Sequence, residues 1–241
     1  IKKDGLNKLT DSLSFDLTNA EKRVVTEILE DLEKDYPMHR LLQGDVGSGK
    51  TIVAVIAALN AVLNGYQAVI MAPTEILAKQ HYKSFLKLLK ENSLNIQFIS
   101  GSTSTSQKEE IIKQLKTGTC DIAIGTHSLI QDKVGFKNLG LAIIDEQHRF
   151  GVKQRSKLKE IGKSPHLLSL SATPIPRTLA ITVYGDQDLS IIDEMPPGRQ
   201  KIITRIVPEN KREDAYRWIE DQVLKGRQSF VICPLIDESD F

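Results

Sequence analysis

Eight consecutive residues, Gly44-Asp45-Val46-Gly47-Ser48-Gly49-Lys50-Thr51, carry the densest chemistry in this chain. They fit Gly-x-x-x-x-Gly-Lys-Ser/Thr without a gap, a pattern that describes a loop built to hold phosphate. Its glycines let the backbone curl until successive amide N–H groups point at one place, and a helix starting at the loop adds the positive end of its dipole. Lys50 is then the cation for the β- and γ-phosphates of a nucleotide, and the Thr51 hydroxyl a ligand for Mg²⁺. Farther along, Asp145 and Glu146 end an apolar run that opens at Leu141. A parallel strand delivers its last residues to the ligand-binding edge of its sheet. There Asp145 is placed to hold Mg²⁺, directly or through water, and Glu146 to orient and deprotonate an attacking water.

These groups act together only if a fold brings them to one edge. An apolar run at 40–43 precedes the loop and an alanine-rich stretch of helical period follows at 52–63, the strand–loop–helix context that the phosphate motif requires. The alternation continues, with apolar runs at 68–72, 96–99, 121–124, 141–145 and 167–170 and helix-period stretches at 20–32, 76–89 and 108–115. Short apolar strands alternating with helices predict an α/β fold whose mostly parallel sheet is covered by helices on both faces. Thr18 and Glu21 have the spacing of a capping box at the start of the first helix. The acidic stretch 27–35 reads as a solvated helix face, and the Ser/Thr-rich residues 101–106 as a loop leading into a helix cap.

Met195-Pro196-Pro197-Gly198 is the clearest break, because the prolines block helix and ladder and Gly198 permits a turn. Beyond it a strand is expected at 202–207, a helix at 211–224 and a strand at 229–234. The chain thus divides into a nucleotide-binding domain, residues 1–198, and the β-α-β start of a second domain, residues 199–241. It opens on Ile1 rather than Met and stops at Phe241 soon after a strand begins, so both ends look cut from something longer.

Composition narrows the partners little. With 32 Lys+Arg against 31 Asp+Glu the net charge is +1, without the basic excess common in nucleic-acid binders. A protein that grips phosphates largely through backbone amides can still be neutral overall. The two cysteines, Cys120 and Cys233, stand far apart in apolar runs and read as buried free thiols; no Cys-x-x-Cys pair suggests zinc. No apolar stretch reaches membrane-spanning length and no signal-peptide pattern opens the chain, which makes the cytoplasm the expected compartment and a membrane partner unexpected.

Several short stretches together resemble one group of enzymes. Asp145-Glu146-Gln147-His148 resembles the DExH box of superfamily 2 helicases and translocases, and Ser171-Ala172-Thr173-Pro174 their Ser-Ala-Thr motif, which links ATP state to the grip on nucleic acid. Ala72-Pro73-Thr74-Glu75 and Gly125-Thr126-His127 stand where that group carries DNA-contacting motifs. Three longer stretches, 42–51, 144–152 and 172–180, look like the RecG family of bacterial ATP-dependent branched-DNA helicases. The resemblance continues through Tyr184-Gly185-Asp186, the Pro-Pro-Gly-Arg turn and Cys233-Pro234-Leu235-Ile236, so it covers nearly the whole chain. The related transcription–repair coupling translocases tend to carry a second Glu and a Gln where Gln147 and His148 stand here.

The resemblance implies a RecA-like P-loop NTPase domain using ATP and Mg²⁺ and working on forks and Holliday junctions in recombination and repair. It implies nucleotide contacts from Gly44, Asp45, Val46, Gly47, Ser48, Gly49, Lys50 and Thr51, and coupling through Gln147, His148, Ser171 and Thr173. Thr74, Gln80, Thr126 and His127 are the candidates for a sequence-blind grip on one DNA strand. For His127 the lesser alternative is a core-capping or strand-end histidine, and Arg149, Gln154, Arg155 and Arg177 read either as couplers or as surface ion-pair partners. A wedge domain, a full second motor domain and a C-terminal hook would complete such a protein. The arginines that finish ATP hydrolysis would then lie beyond Phe241, leaving residues 1–241 alone weakly active or inactive.

One position departs from the family. A Gln that reads adenine through N6 and N7 usually follows Leu-Thr-x-Ala, and here Glu21 takes its place. A carboxylate accepts from N6–H but does not donate to N7 unless protonated, so Glu21 serves either adenine or only the capping box. Two other classes compete with a DNA motor: a P-loop kinase or GTPase-like switch, and a domain that kept the fold but lost hydrolysis. The Ser-Ala-Thr and DExH stretches argue against the first, and intact Lys50, Thr51, Asp145 and Glu146 against the second.

Overall fold

The structure is a computed structural model that describes residues 3–131, 133–146, 164–173, 187–197 and 202–232. Contacts group the chain into two units, Ile1–Gly198 and Arg199–Phe241.

In the first unit the described strands are β1 (His39–Gly44), β2 (Gln67–Met71), β3 (Ile96–Ile99), β4 (Ile122–Gly125), β5 (Leu139–Asp145), β6 (His166–Ser171) and β7 (Asp188–Ile192). They form one seven-stranded sheet in the order β3-β4-β2-β5-β6-β1-β7. Every described pairing in it is parallel. The helices are α1 (Lys3–Ser12), α2 (Asn19–Leu32), α3 (Lys50–Leu63), α4 (Glu75–Leu88) and α5 (Thr105–Thr117), with a 3-10 turn at His127–Ile130.

Alternation along each strand separates two cores. Ala68, Ile70, Ile122, Ile124, Leu141, Ile143, Leu168 and Leu170 pack with residues of α1 to α4 on one face. Val69, Met71, Ala123, Ala142, Ile144 and Leu167 pack with Ile111 and Leu115 of α5 on the other. Side chains of successive strand residues point to opposite faces, so a strand buried on both reads as continuously apolar. Helix α3 is buried on nearly every side, from Ile52 to Ala61, which is why its sequence lacks a polar face.

The helix ends have local causes. Thr18 and Glu21 form the expected capping box: the Glu21 amide donates to Thr18 Oγ1 at 3.1 Å and the Thr18 amide to Glu21 Oε2 at 2.7 Å. Ser104 caps α5 and left-handed Gly118 (φ 78°) ends it. Cys120 is buried, and desolvation pushes its thiol up to about 12, so it packs as an inert apolar group.

Two elements escape the sequence pattern. Helix α1 shows its period only through Leu6 and Leu9, both buried. Strand β7 becomes a strand by pairing with β1 along its whole length.

The second unit differs from its expected β-α-β. Its helix α6 (Arg212–Leu224) is present, led by a 3-10 turn at Glu209–Lys211. Residues 202–208 and 227–232 form no ladder, and Ile206 and Ile232 are 97% and 91% exposed. A strand is defined by its partner, and β propensity without a pleated surface to join does not make one.

Candidate nucleotide site

The three neighbouring strands β5, β6 and β1 end together, and each end carries a motif. In the register Gln43 pairs with Ser171 and Asp145 with Leu170. The phosphate loop, the acidic pair and the Ser-Ala-Thr turn therefore share one stretch of the sheet's carboxyl edge, although Gly44 and Asp145 are far apart in sequence.

The loop from Gly44 to Thr51 folds as its glycines permit. Gly47 (φ 77°) and Gly49 (φ 97°) take left-handed conformations, and a Cβ on Gly49 would run into the Glu21 carboxylate. Lys50 Nζ donates to the carbonyls of Gly44 at 2.6 Å and Asp45 at 2.8 Å, which holds the ammonium over the loop. Asp45 Oδ1 accepts from the Val46 amide at 2.7 Å. The buried Ser48 hydroxyl makes no hydrogen bond, while Val46 is 65% exposed at the loop's tip. Thr51 lies in the first turn of α3, where the amides and the dipole favour an anion.

Asp145 belongs by parity with Leu141 and Ile143, the β5 residues of the α1–α4 face. On that face His81 of α4 reaches it, with Nε2 2.7 Å from Asp145 Oδ2 and side chains only 11% and 13% exposed. The sequence pattern did not single out His81. Its only signal was helical spacing from Thr74 and Leu77, which reads equally as core. Glu146 follows with a left-handed backbone (φ 52°), an unusual state for a residue with a side chain, and its amide donates to Leu170 O at 2.9 Å. Asp145 and Glu146 thus leave the strand in different directions. Such backbone outliers collect at functional sites.

The donor set suits Mg²⁺ held together with phosphates. It offers one carboxylate and one hydroxyl, and among the described residues no cluster of three His, Cys, Asp or Glu side chains exists. Mg²⁺ is usually held by one or two carboxylates, substrate phosphates and water rather than by an all-protein cage.

Next to the loop, Glu21 is 2% exposed, with one oxygen in the capping box and the other against Gly49. A cleft of about 630 Å³ opens there, lined by Phe15, Glu21, Gly49, Thr51, Ser84 and Lys87 among others. A second cleft, about 620 Å³, lies where β2, β5 and β6 begin, lined by Asn60, Tyr66, Asn138 and His166. Burial holds the His166 imidazole below its ordinary range, and no residue of the phosphate loop reaches that cleft. At the Ser-Ala-Thr turn, the Ser171 and Thr173 hydroxyls are 2.9 Å apart and the Thr173 amide donates to Ser171 Oγ at 3.2 Å.

The DNA candidates occupy the other half of the edge, after β2 and β4. Thr74 caps α4, accepting from the Leu77 amide at 3.3 Å, and Gln80 is exposed on the same helix. His127 is exposed, whereas Thr126 is 4% exposed and its hydroxyl has no partner among the described residues. Glu75, in the first turn of α4, accepts from Lys79 of the same helix at 2.7 Å and from Ser102 at 2.6 Å, and the second bond ties the loop after β3 to α4. Lys79, then Ser102, pulls the Glu75 carboxyl down to about 2. Gln147, His148, Arg149, Gln154, Arg155, Arg177, Tyr184-Gly185-Asp186, Gly198 and residues 233–236 lie outside the described residues.

Comparison with known proteins agrees with this geometry. The DEAD/DEAH box helicase model matches residues 18–181. The ATP-dependent DNA helicase RecG of Aquifex aeolicus is 55% identical over 98% of this chain, which spans 30% of that protein. The Bacillus subtilis RecG is 50% identical over 98% of the chain, which spans 34% of it. A solved RecG bound to a three-way DNA junction superposes with a TM-score of 0.86 at 44% identity, covering 98% of this chain and 32% of its own. The UvsW helicase of bacteriophage T4, 18% identical over 79% of the chain and 68% of its own, shares the fold with a TM-score of 0.57. The resemblance to RecG thus holds along almost the entire sequence, and the fold is the RecA-like helicase fold. With the phosphate loop and the acidic strand end inside the matched segment, the chain belongs to the DEAD/DEAH box helicase family.

Proposed function

We propose that the chain is the ATP-binding motor domain of an ATP-dependent DNA helicase that acts on branched DNA, forks and Holliday junctions, in recombination and repair. The observation that carries this reading is the meeting of the phosphate loop after β1 and the Asp145–Glu146 pair after β5 on one edge, with only β6 between the two strands, in a chain 55% identical to a RecG. Lys50 exchanges its bonds to the Gly44 and Asp45 carbonyls for charge-assisted ones to phosphate. The amides of the loop and of the first turn of α3 hold the remaining phosphate oxygens. Asp145 and Thr51 would hold Mg²⁺, which would supply positive charge against the phosphates. Glu146 orients the attacking water and takes its proton. Gln147, His148, Ser171 and Thr173 pass nucleotide state to the DNA side, where Thr74, Gln80, Thr126 and His127 meet the backbone of one strand. Glu21 has one oxygen in the capping box, and this supports the capping role over adenine reading.

Residues 199–241 are, on this reading, the start of a second motor domain, and their separation as a unit supports it. Cytoplasmic location fits: among the described residues no helix is long and apolar enough to cross a membrane.

The test compares steady-state ATPase of the 241-residue chain with that of a protein of the relatives' full length carrying it, each with and without forked DNA. Fork-stimulated turnover in the longer protein and little in the chain are expected, because arginines donated across the site are worth ~10³–10⁵ in P-loop enzymes. Turnover indifferent to DNA would point to a nucleotide switch instead.

A further inference from the structure

Helix α4 touches both halves of the site. A stripe at helical spacing runs along it through Thr74, Leu77, His81, Ser84 and Leu88, residues three or four apart that share one face. Its first member sits on the DNA side. Ser84 and Leu88 line the cleft that also holds Gly49 and Thr51. His81 lies between them, roughly 10 Å along the axis from Thr74 at the α-helical rise, and is the residue that bonds Asp145.

We infer that His81 is a positioning residue for the Mg²⁺ carboxylate: its imidazole Nε2–H holds Asp145 Oδ2 and thereby aims Oδ1 at the metal. The inference rests on the nucleotide-site reading above. The carboxylate accepts only, so Nε2 carries the proton of this bond. Both side chains are nearly buried, which shields the bond from water's competition and fixes the ring. Among the described residues Asp145 Oδ1 makes no hydrogen bond, so one oxygen is held and the other is left for a ligand. Parity adds the third constraint. Asp145 faces the layer that contains both α3, with Thr51 at its start, and α4, so the imidazole and the candidate metal ligand Thr51 come to the same side of the sheet. A histidine that merely filled the core would satisfy its ring on a backbone carbonyl and need not meet the one acidic side chain at the end of β5. Ligating carboxylates are commonly held in this way, and loss of such a partner typically costs 10–100-fold in metal affinity or activity.

The experiment uses the 241-residue chain and reads metal rather than turnover. Free Mn²⁺ is followed by electron paramagnetic resonance as it is titrated into protein and ADP, and ADP binding without metal is measured by calorimetry. His81→Ala is expected to raise the Mn²⁺ midpoint by about 10-fold or more while leaving metal-free ADP affinity unchanged. His81→Gln, whose Nε2 replaces the imidazole donor, is expected to stay within about threefold of wild type, and His81→Asn, one bond shorter, to behave like alanine. An unchanged or tighter Mn²⁺ midpoint in His81→Ala overturns the inference. Should the alanine variant fail to fold, the Gln and Asn variants decide, and equal midpoints for those two overturn it as well. Failure of the wild-type chain to bind ADP at all sinks the nucleotide-site reading itself, a result distinct from any of these.

Discussion

The two halves of the sheet's carboxyl edge are built differently. On β1, β6 and β5 the site is the more deeply buried: Glu21 is 2% exposed, Ser48 1%, Ser171 3% and Asp145 9%, with Lys50, Thr51 and Glu146 half-buried and Asp45, Val46 and Thr173 at the surface. On β2 and β4 the candidates Thr74, Gln80 and His127 are exposed, and only Thr126 is buried. On the proposed function, the contrast follows from what each half would handle. A transferring phosphoryl group needs charges and donors fixed in advance within a dry site. A DNA backbone is uniform and must be released at every step, which exposed polar groups on loops and a helix start allow. His81 bridges the halves, because α4 begins in the exposed one and passes behind the buried one.

If that division is right, removing groups from the buried half has the larger effects. Lys50→Ala should abolish nucleotide-dependent activity, by at least ~10³-fold, since a positioned charge aimed at phosphate has no substitute. Near-normal ATPase in the purified, folded variant would break the assignment of Lys50. Glu146→Gln keeps shape and nucleotide binding but loses the base, so single-turnover hydrolysis should slow by ~10²–10⁴-fold. A few-fold change there would mean that another residue takes the proton. In the exposed half, Gln80→Ala should weaken DNA binding only about fivefold, the worth of roughly 1 kcal/mol for one hydrogen bond, with ADP affinity unmoved. A parallel loss of ADP affinity would erase the distinction between the halves. Thr18→Ala removes one arm of the capping box under the buried half and should lower stability by about 1 kcal/mol, read by urea unfolding, with the Mn²⁺ midpoint unchanged.

The smallest effect concerns acid. Glu75 titrates at about 2 when folded and at an ordinary 4.5 otherwise, so its contribution to stability is complete above pH 4.5 and is lost as pH falls through about 2. Lys79→Ala, which removes the first cause of that depression, should move the Glu75 carboxyl back toward 4.5 in an NMR titration. A carboxyl that still titrates near 2 would show that the serine hydroxyls of 100 and 102 hold it down without Lys79.

Local signals were legible in the sequence wherever neighbours in the chain are neighbours in space. The phosphate loop, the Thr18–Glu21 capping box and the period of α2 to α5 depend on residues a turn or a loop apart, so composition and spacing suffice. Of the six apolar runs, those that became β2, β4, β5 and β6 contribute side chains to both cores, which keeps them apolar almost throughout, whereas β3 at the sheet's edge is half-buried at Gln97 and Phe98. Tertiary structure alone decided the rest. Residues 188–192 are a strand only because β1 lies beside them, and 202–207, with stronger β character, is not one because no ladder is offered. The pair His81–Asp145 spans 64 positions and exists because β2 and β5 are adjacent, which brings the helix after one to the end of the other. Strand order is set by how whole faces bury against each other, a property of the assembled layers that no window of sequence contains.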